Sequence, residues 1–312
     1  MASSPAWIAG LPGAVNGAEV LTDAADCLAY SYDNSKQQAL PQAVVLASAH
    51  EQVVALARYC QQRRIPLTCR GRGTNTTGAT VPLHGGVVLS LERMNRIESV
   101  RAGDRMLRCQ AGALNGDVQA AAAEFGLFWP PDPTSAGFST VGGNLACGAG
   151  GPRAVKYGTA KDNVLGLVAV TGSGDTIRTG CSTTKGVVGY DLTRLLVGSE
   201  GTLAIITEAT LKLVPKPPLT QTLRACYVDV ESAAAAVARI MAQPQIPCAL
   251  EFMDGDAVML AQAHRDTGVP PGTGAILLLQ ADGETGTLPA AVAAIRAAAD
   301  GPGLVQWSAA AD

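Results

Sequence analysis

What this chain has little of narrows its function before any motif is read. Lysine and arginine number 23 against 26 aspartates and glutamates, a formal net charge of −3. That leaves no basic surplus for nucleic acid or an anionic membrane surface. No window reaches the roughly 18 consecutive apolar residues of a membrane span. The opening MASSPAWIAGLPGAV has neither a positive leader nor a long apolar run, so it does not read as a signal peptide. A soluble, cytoplasmic protein is expected. There are only three histidines, His50, His84 and His264, and none is paired at metal-binding spacing. The eight cysteines contain no C-x-x-C pair, which argues against a zinc site, an iron–sulfur cluster and a disulfide framework together. No metal is expected. A G-x-S-x-G nucleophile elbow is missing too, because Val197 stands where its first glycine should be.

What is present is glycine, in clusters. At 312 residues the length suggests about two domains, and a 47% hydrophobic share with 16% charge fits a sizeable core. The stretch 127–158 sets Pro130, Pro131 and Pro133 around Asp132, then supplies Gly142, Gly143 and Asn144, and later Gly150 and Gly151. Glycine at that density is costly in a helix or strand, because it loses the most backbone entropy on folding. It suits a place where backbone approaches a ligand closely and presents bare N–H groups. A binding surface for a large anionic cofactor and a long Gly/Pro surface loop are the two readings.

Periodicity organises the rest. Residues 1–40 read as polar and irregular, with a short helix near 23–30. A buried strand at 43–47 precedes a helix at 50–62, capped by Ser48, whose Val53, Leu56, Ala57 and Cys60 recur at helical spacing. A strand at 65–69 then makes a βαβ unit, and 86–91 adds a third strand. From 105 the pattern alternates, Leu107, Cys109 and Ala111 on one face against Arg108 and Gln110. A helix capped by Asn115 follows, with Val118, Ala121, Ala122 and Phe125 inward and Gly126 as its stop. A hairpin at 164–179 turns through 172–175, Asp191 caps a short helix, and 203–213 is a strand with one wet face. Pro215, Pro217 and Pro218 mark a domain boundary. Strands at 222–230, 248–253, 274–281 and 304–307 interleave with helices at 231–242, 254–265 and 287–299, a small α+β sheet domain.

The loop after the second strand, Arg70-Gly-Arg-Gly-Thr-Asn-Thr-Thr-Gly78, fails two phosphate motifs. Ala79 stands where a Walker A lysine belongs, and Thr76 and Pro82 break the dinucleotide fingerprint. What survives is a strand end turned by Gly71 and Gly73, whose N–H groups and Thr74 hydroxyl can nest a pyrophosphate; the alternative is a tight turn with adventitious arginines.

Eight short motifs in fixed order carry a resemblance. They are Arg70-Gly-Arg-Gly-Thr74, Gly86-Val-Val-Leu-Ser-Leu-Glu-Arg-Met-Asn-Arg96, Pro130-Pro-Asp-Pro-Thr-Ser135, Val141-Gly-Gly-Asn144, Ala149-Gly-Gly151, Lys156-Tyr-Gly158, Gly189-Tyr-Asp191 and Gly198-Ser-Glu-Gly-Thr-Leu203. Over residues 20–300 the chain resembles the FAD-linked oxidases of the vanillyl-alcohol oxidase (PCMH-type) superfamily, and within it the glycolate oxidase catalytic-subunit and D-lactate dehydrogenase group. The resemblance implies an α+β fold. An N-terminal segment, 1–37, would precede a PCMH-type FAD-binding domain, 38–217, made of a small βαβ subdomain and a larger mixed or antiparallel one. A truncated ferredoxin-like cap, 218–312, would follow.

It also implies a site. Gly71, Arg72, Gly73, Thr74, Asn75 and Gly78 would hold the FAD pyrophosphate, and Pro131, Asp132, Thr134 and Ser135 would line the flavin and ribityl side. Gly142, Gly143 and Asn144, with Ala149, Gly150, Gly151 and Gly158, would wrap the diphosphate and isoalloxazine. Glu200, Gly201 and Ile206 would approach the adenine half. The implied reaction is oxidation of a small D-2-hydroxy acid, glycolate or D-lactate, to the 2-oxo acid, with electrons passed to an acceptor or partner subunit. Two departures matter locally. Cys147-Gly148 stands where relatives usually carry Glu-Asn, and Cys147 is read as a buried free cysteine, not a thioether to the flavin; Ala204 replaces a usual glycine. The family also continues for well over a hundred residues, with a His-x-Gly-Asp-Gly-Asn-x-His motif and a Gly-Glu-His-Gly segment. No catalytic residue is therefore assigned. A non-catalytic FAD-binding subunit, or a truncated product that needs a partner chain, is the alternative, and a cap cut mid-sheet is expected to associate.

Overall fold

In the computed structural model, which describes residues 5–183, 185–265 and 267–310, the chain forms two units. The first comprises residues 1–150 and 159–215, and the second 151–158 and 216–312.

The first unit contains two main sheets. The smaller is built on the parallel strands Ala43–Leu46, Val87–Ser90 and Leu67–Arg70. Val87–Ser90 enters between the other two, so the expected βαβ pair is bridged by the later strand. Paired in parallel on both sides, that central strand is buried throughout, which its Val-Val-Leu run allows. Glu19–Leu21 adds an antiparallel edge beside Ala43–Leu46. The crossover helix His50–Arg63 buries Val53, Leu56, Ala57 and Cys60, as its spacing predicts. Its N-cap is Ala49, not Ser48, and Gln52 in the first turn reaches back: its Oε1 accepts from the amides of Ser48 (2.8 Å) and Ala49 (3.2 Å). The N-terminal stretch, expected to be irregular, holds a helix, Ala6–Ala14, with Leu11 fully buried. Tyr59 anchors it by donating to the Trp7 carbonyl at 2.6 Å.

The larger sheet is antiparallel throughout, in the order Ile97–Arg101, Met106–Gln110, Ala204–Lys212, Val164–Thr171, Thr176–Gly180. The wet face expected along its central strand starts only at Glu208. Residues 204–207 are buried on both faces, and Thr207 donates to the Val168 carbonyl at 3.1 Å. Gln110, expected on a polar face, is also buried and accepts from the Arg96 amide at 3.2 Å. The helix Asn115–Ala123 begins one residue earlier than expected, with Leu114 at the cap. Asn115 instead spends its amide on the Pro131 carbonyl at 3.0 Å. Phe125, expected inward, is 51% exposed because the helix ends before it.

The second unit has one antiparallel sheet in the order Ala249–Asp254, Ala275–Gly283, Leu219–Tyr227, Leu304–Ala309. Numbered in chain order, that is the 4-1-3-2 arrangement of a ferredoxin-like split βαβ fold. The helices Val230–Ala242 and Leu288–Ala299 cover one face, where Leu223, Tyr227, Ile240, Leu277 and Ile295 form the core. A third helix, Gly255–His264, sets Val258 against Cys226 and Ile276.

Candidate functional site

The site forms where the small sheet's last residue turns into its loop. Arg70 closes the strand Leu67–Arg70 and folds its side chain inward, leaving it 7% exposed. Its Nη1 donates to the Tyr32 carbonyl at 2.6 Å and to Thr80 Oγ1 at 3.3 Å, and its Nη2 to the Ala29 carbonyl at 3.3 Å. Burial lowers the guanidinium's pKa, and the Asp33 carboxylate opposes that shift. Gly73 must be glycine for two reasons: its φ is +64°, and a Cβ there would lie 2.3 Å from Arg70 Nη2. Arg72 leans instead toward Glu92, 3.9 Å away, which also accepts from the Tyr30 hydroxyl at 2.8 Å. Burial and that hydrogen bond push the Tyr30 hydroxyl up to about 12.

The loop so anchored turns its carbonyls away. The Thr74 and Asn75 carbonyls accept from the Asn34 side chain (3.2 Å) and amide (3.0 Å). Among the described residues, no backbone N–H from 71 to 75 donates to a protein acceptor. A run of unspent amides facing a cleft is an anion-binding feature.

The second wall is the short helix Val141–Ala146. Thr140 caps it by accepting from the Gly143 amide at 3.2 Å. The amides of Val141 and Gly142 donate to the carbonyls of Ala113 and Ala111, pinning the helix to the chain beyond Met106–Gln110. A Cβ on Gly142 would meet the Ala111 Cβ at 2.6 Å, and one on Gly71 would meet Thr140 Oγ1 at 2.4 Å. These glycines let the two walls close. The third wall is the 198–206 turn, in which the Gly198 and Glu200 amides each donate at 2.9 Å, to the Leu145 and Ala146 carbonyls. Glu200 (φ +53°) and Gly201 (φ +77°) both take left-handed backbone there.

Together the walls enclose one groove. Its narrow inner part is lined by Cys69, Leu91, Ala111, Ala204, Ile205 and Ile206, with Glu200 and Gly201 at the side. Its wider outer part runs past residues 71–77, Ser135, Gly143, Asn144 and Ala149. Asn75, Thr140 and Cys147 border both. Cys147, expected to be buried, is exposed. The surrounding protein, and then the Glu200 charge, raise its thiol pKa, so it keeps its proton at neutral pH.

Of the residues singled out from sequence, Gly71, Arg72, Gly73, Thr74, Asn75, Ser135, Gly142, Gly143, Asn144, Ala149, Glu200, Gly201 and Ile206 border this groove. Gly78 faces Gln37 instead, and Thr134 is exposed. Pro131 is buried with its carbonyl accepting from the Asn115 side chain, and the Asp132 amide donates to the Gly150 carbonyl at 3.2 Å. Those four, with Gly150, are not on the groove wall. Gly151 and Gly158 belong to the second unit. Residues missed from sequence are the small apolar ones of the inner part and Thr140, whose place before a Val-Gly-Gly run is a legible capping signal.

None of the three histidines borders the groove. His50 bridges Thr207 Oγ1 (2.9 Å) and Thr176 Oγ1 (2.7 Å). Among the described residues no group of three or more His, Cys, Asp or Glu could hold a metal, and no helix is long and apolar enough to cross a membrane.

Two buried polar atoms test whether the groove suits FAD. Asn144, only 4% exposed, has an Nδ2 without any partner, and Asn75 has an unpartnered buried Oδ1. Leaving such groups unsatisfied costs about 1–3 kcal/mol each. An unspent donor, an unspent acceptor and a run of free amides beside an apolar slot fit a molecule with an anionic middle and flat rings.

Comparison with known proteins agrees with that chemistry. Residues 41–180 match the family model of the FAD binding domain, and residues 216–312 that of the C-terminal domain of FAD linked oxidases. The chain is 43% identical over 258 residues to glycolate oxidase subunit GlcD of Bacillus subtilis, covering 82% of this chain and 55% of that protein. It is 40% identical over 222 residues to D-lactate dehydrogenase of Anaerostipes hadrus, covering 71% and 46%. The chain thus spans about half the length of these relatives. Among solved structures, an alkyldihydroxyacetonephosphate synthase superposes with a TM-score of 0.78 at 20% identity, covering 90% of this chain and 56% of that one.

Proposed function

The chain belongs to the FAD-linked oxidases, and from that premise we propose that it oxidises a small D-2-hydroxy acid, glycolate or D-lactate, to the 2-oxo acid. When bound, FAD would supply the two-electron acceptor for that oxidation. This chain's own residues hold the cofactor. The free amides of 71–75 would receive its diphosphate, and the unpartnered Asn144 Nδ2 would donate to one of its acceptors. Pro131, Asp132, Thr134, Gly78 and Gly150 line no part of the groove and join this proposal through the resemblance alone. Cys69, Leu91, Ala204 and Ile206 exclude water from the inner slot. Gly151 and Gly158 join this proposal through the resemblance alone.

The observation that carries the reading is the groove's unspent polar set: amides 71–75, Asn144 Nδ2 and Asn75 Oδ1. The test is direct. The purified 312-residue chain should turn yellow with FAD, and glycolate or D-lactate under anaerobic conditions should bleach it. A protein that stays colourless with excess FAD would sink the cofactor assignment.

A second reading is favoured by the histidines. Neither histidine of the first unit, His50 or His84, borders the groove, so that unit offers no imidazole there to take the hydroxyl proton. On that reading the chain binds FAD, and a partner chain completes the substrate site. Yellow protein that is not bleached by either acid would favour it.

A further inference from the structure

Of the eight cysteines, Cys147 and Cys181 are exposed; Cys27, Cys60, Cys109, Cys226 and Cys248 are buried, and Cys69 sits in the inner slot. The two exposed thiols have different surroundings. Cys181 follows the strand Thr176–Gly180 and borders no part of the groove, and hydrogen bonds with Thr183 lower its pKa. Cys147 borders both the inner and the outer part of the groove, so it stands where one opens into the other.

The backbone fixes Cys147 in that place. It ends the helix Val141–Ala146, where its amide donates to the Gly143 carbonyl at 3.0 Å. Its neighbours are held too: the Ala146 carbonyl accepts from the Glu200 amide at 2.9 Å, and the Gly148 amide donates to the Leu145 carbonyl at 3.1 Å. The Asn75 side chain hydrogen-bonds to the thiol from the facing loop. Close by in the sequence, Asn144 lines the outer part, only 4% exposed, and its Nδ2 has no partner among the described residues. A buried donor left unspent at a groove wall calls for a ligand to complete it. A ligand that spans both parts must pass Cys147. A group bonded to the Cys147 sulfur would occupy that passage, and a close-fitting site does not absorb added bulk.

We propose that Cys147 is a reversible modification site: a low-molecular-weight disulfide forms a mixed disulfide with it that closes the groove to FAD, and bound FAD in turn shields it. The Cys147 thiol loses its proton to solvent and its sulfur attacks one sulfur of the disulfide. That S–S bond breaks as the new one forms, and the departing thiolate takes up a proton, so no other oxidant is needed. Because the surrounding protein and the Glu200 charge keep the thiol protonated at neutral pH, the exchange is slower there than at Cys181. The regulatory half of this statement rests on the FAD reading above; the accessibility of the thiol does not.

Glutathione disulfide applied to the full chain, with peptide mass mapping of each adduct, reads the thiols; quenching of flavin fluorescence reads FAD affinity. Without FAD, Cys147 and Cys181 should react roughly tenfold or more faster than the five buried thiols. Saturating FAD should slow Cys147 roughly tenfold or more and leave Cys181 within about twofold. Protein carrying the adduct at Cys147 should bind FAD roughly tenfold or more weakly, and dithiothreitol should reverse the loss. Cys181→Ser should reproduce all of this, whereas Cys147→Ser should show one FAD affinity before and after treatment. A Cys147 as slow as the buried thiols would overturn the proposal. So would an adduct at Cys147 with undiminished FAD affinity, or flavin-loaded protein whose Cys147 reacts as fast as the unloaded one. Untreated protein that takes up no FAD would overturn the FAD reading and the regulatory role with it, yet the rates without FAD would still show whether Cys147 is open to small disulfides.

Discussion

Gly73 and Gly143 look alike in the sequence and differ in the fold. A Cβ on Gly73 collides with the buried Arg70 guanidinium, whereas one on Gly143 meets nothing closer than Thr140 Oγ1 at 3.1 Å. Gly73→Ala is therefore expected to destabilise by about 2 kcal/mol or more, through left-handed strain and displacement of Arg70; urea unfolding with an unchanged midpoint would refute it. Asn144→Ala should behave in the opposite way. Its Nδ2 has no partner to lose, so stability should change by less than about 1 kcal/mol while FAD affinity falls about tenfold. Equal losses in stability and affinity would show that Asn144 is structural. Glycine density pointed to the groove, but it could not say which glycines face a ligand. That depends on Arg70 and Ala111, whose neighbours are set only once strands distant in sequence have met. The inner-slot residues Cys69, Leu91 and Ala204 were illegible for the same reason: each alone is an ordinary core residue.

Elements with a strong period were legible, and elements stabilised by tertiary contact were not. His50–Arg63 and Val230–Ala242 carry apolar residues at helical spacing and fold where that spacing puts them. Ala6–Ala14 contains Gly10, Pro12 and Gly13, so propensity argues against it; it forms because Leu11 is buried and Tyr59 holds Trp7. The turn before Val164–Thr171 carries a pH dependence. The Thr159 amide donates to Asp162 Oδ2 at 3.0 Å, its hydroxyl at 3.1 Å, and Arg194 lies 3.3 Å from Oδ1. These hold the Asp162 pKa below its ordinary value, the backbone bond contributing most. A depressed folded-state pKa adds stability that is present above the unfolded value, near pH 4, and is lost as pH falls through the folded one. Because Asp162 is half exposed, the contribution is about 0.5 kcal/mol after screening. Asp162→Asn should thus lower stability slightly at pH 6 and converge with wild type as pH falls through the depressed folded-state pKa. A constant gap across that range would remove the carboxylate from the explanation.

At the scale of the whole molecule, one edge of the second unit's sheet carries a prediction. Among the described residues the strand Leu304–Ala309 pairs only with Leu219–Tyr227, on one side. It presents Leu304, Val305 and Trp307 in six residues without lysine, proline or an inward charge, the devices that usually blunt an edge. Val305 is 40% exposed. At the other end of the sheet, Ala249–Asp254 has the helix Gly255–His264 and the Ala154–Tyr157 turn as neighbours, so the two edges are not equivalent. A second copy adding its own Leu304–Ala309 strand would satisfy the outer backbone groups and cover Val305 in one step. Sedimentation velocity over a concentration series should therefore show reversible self-association, and Val305→Lys should shift it toward monomer with the fold retained by circular dichroism. FAD affinity should not change, because Val305 borders no part of the groove. A wild-type protein that sediments as a monomer at every concentration, or a Val305→Lys protein that associates as strongly as wild type, would mean that this edge is protected in some other way.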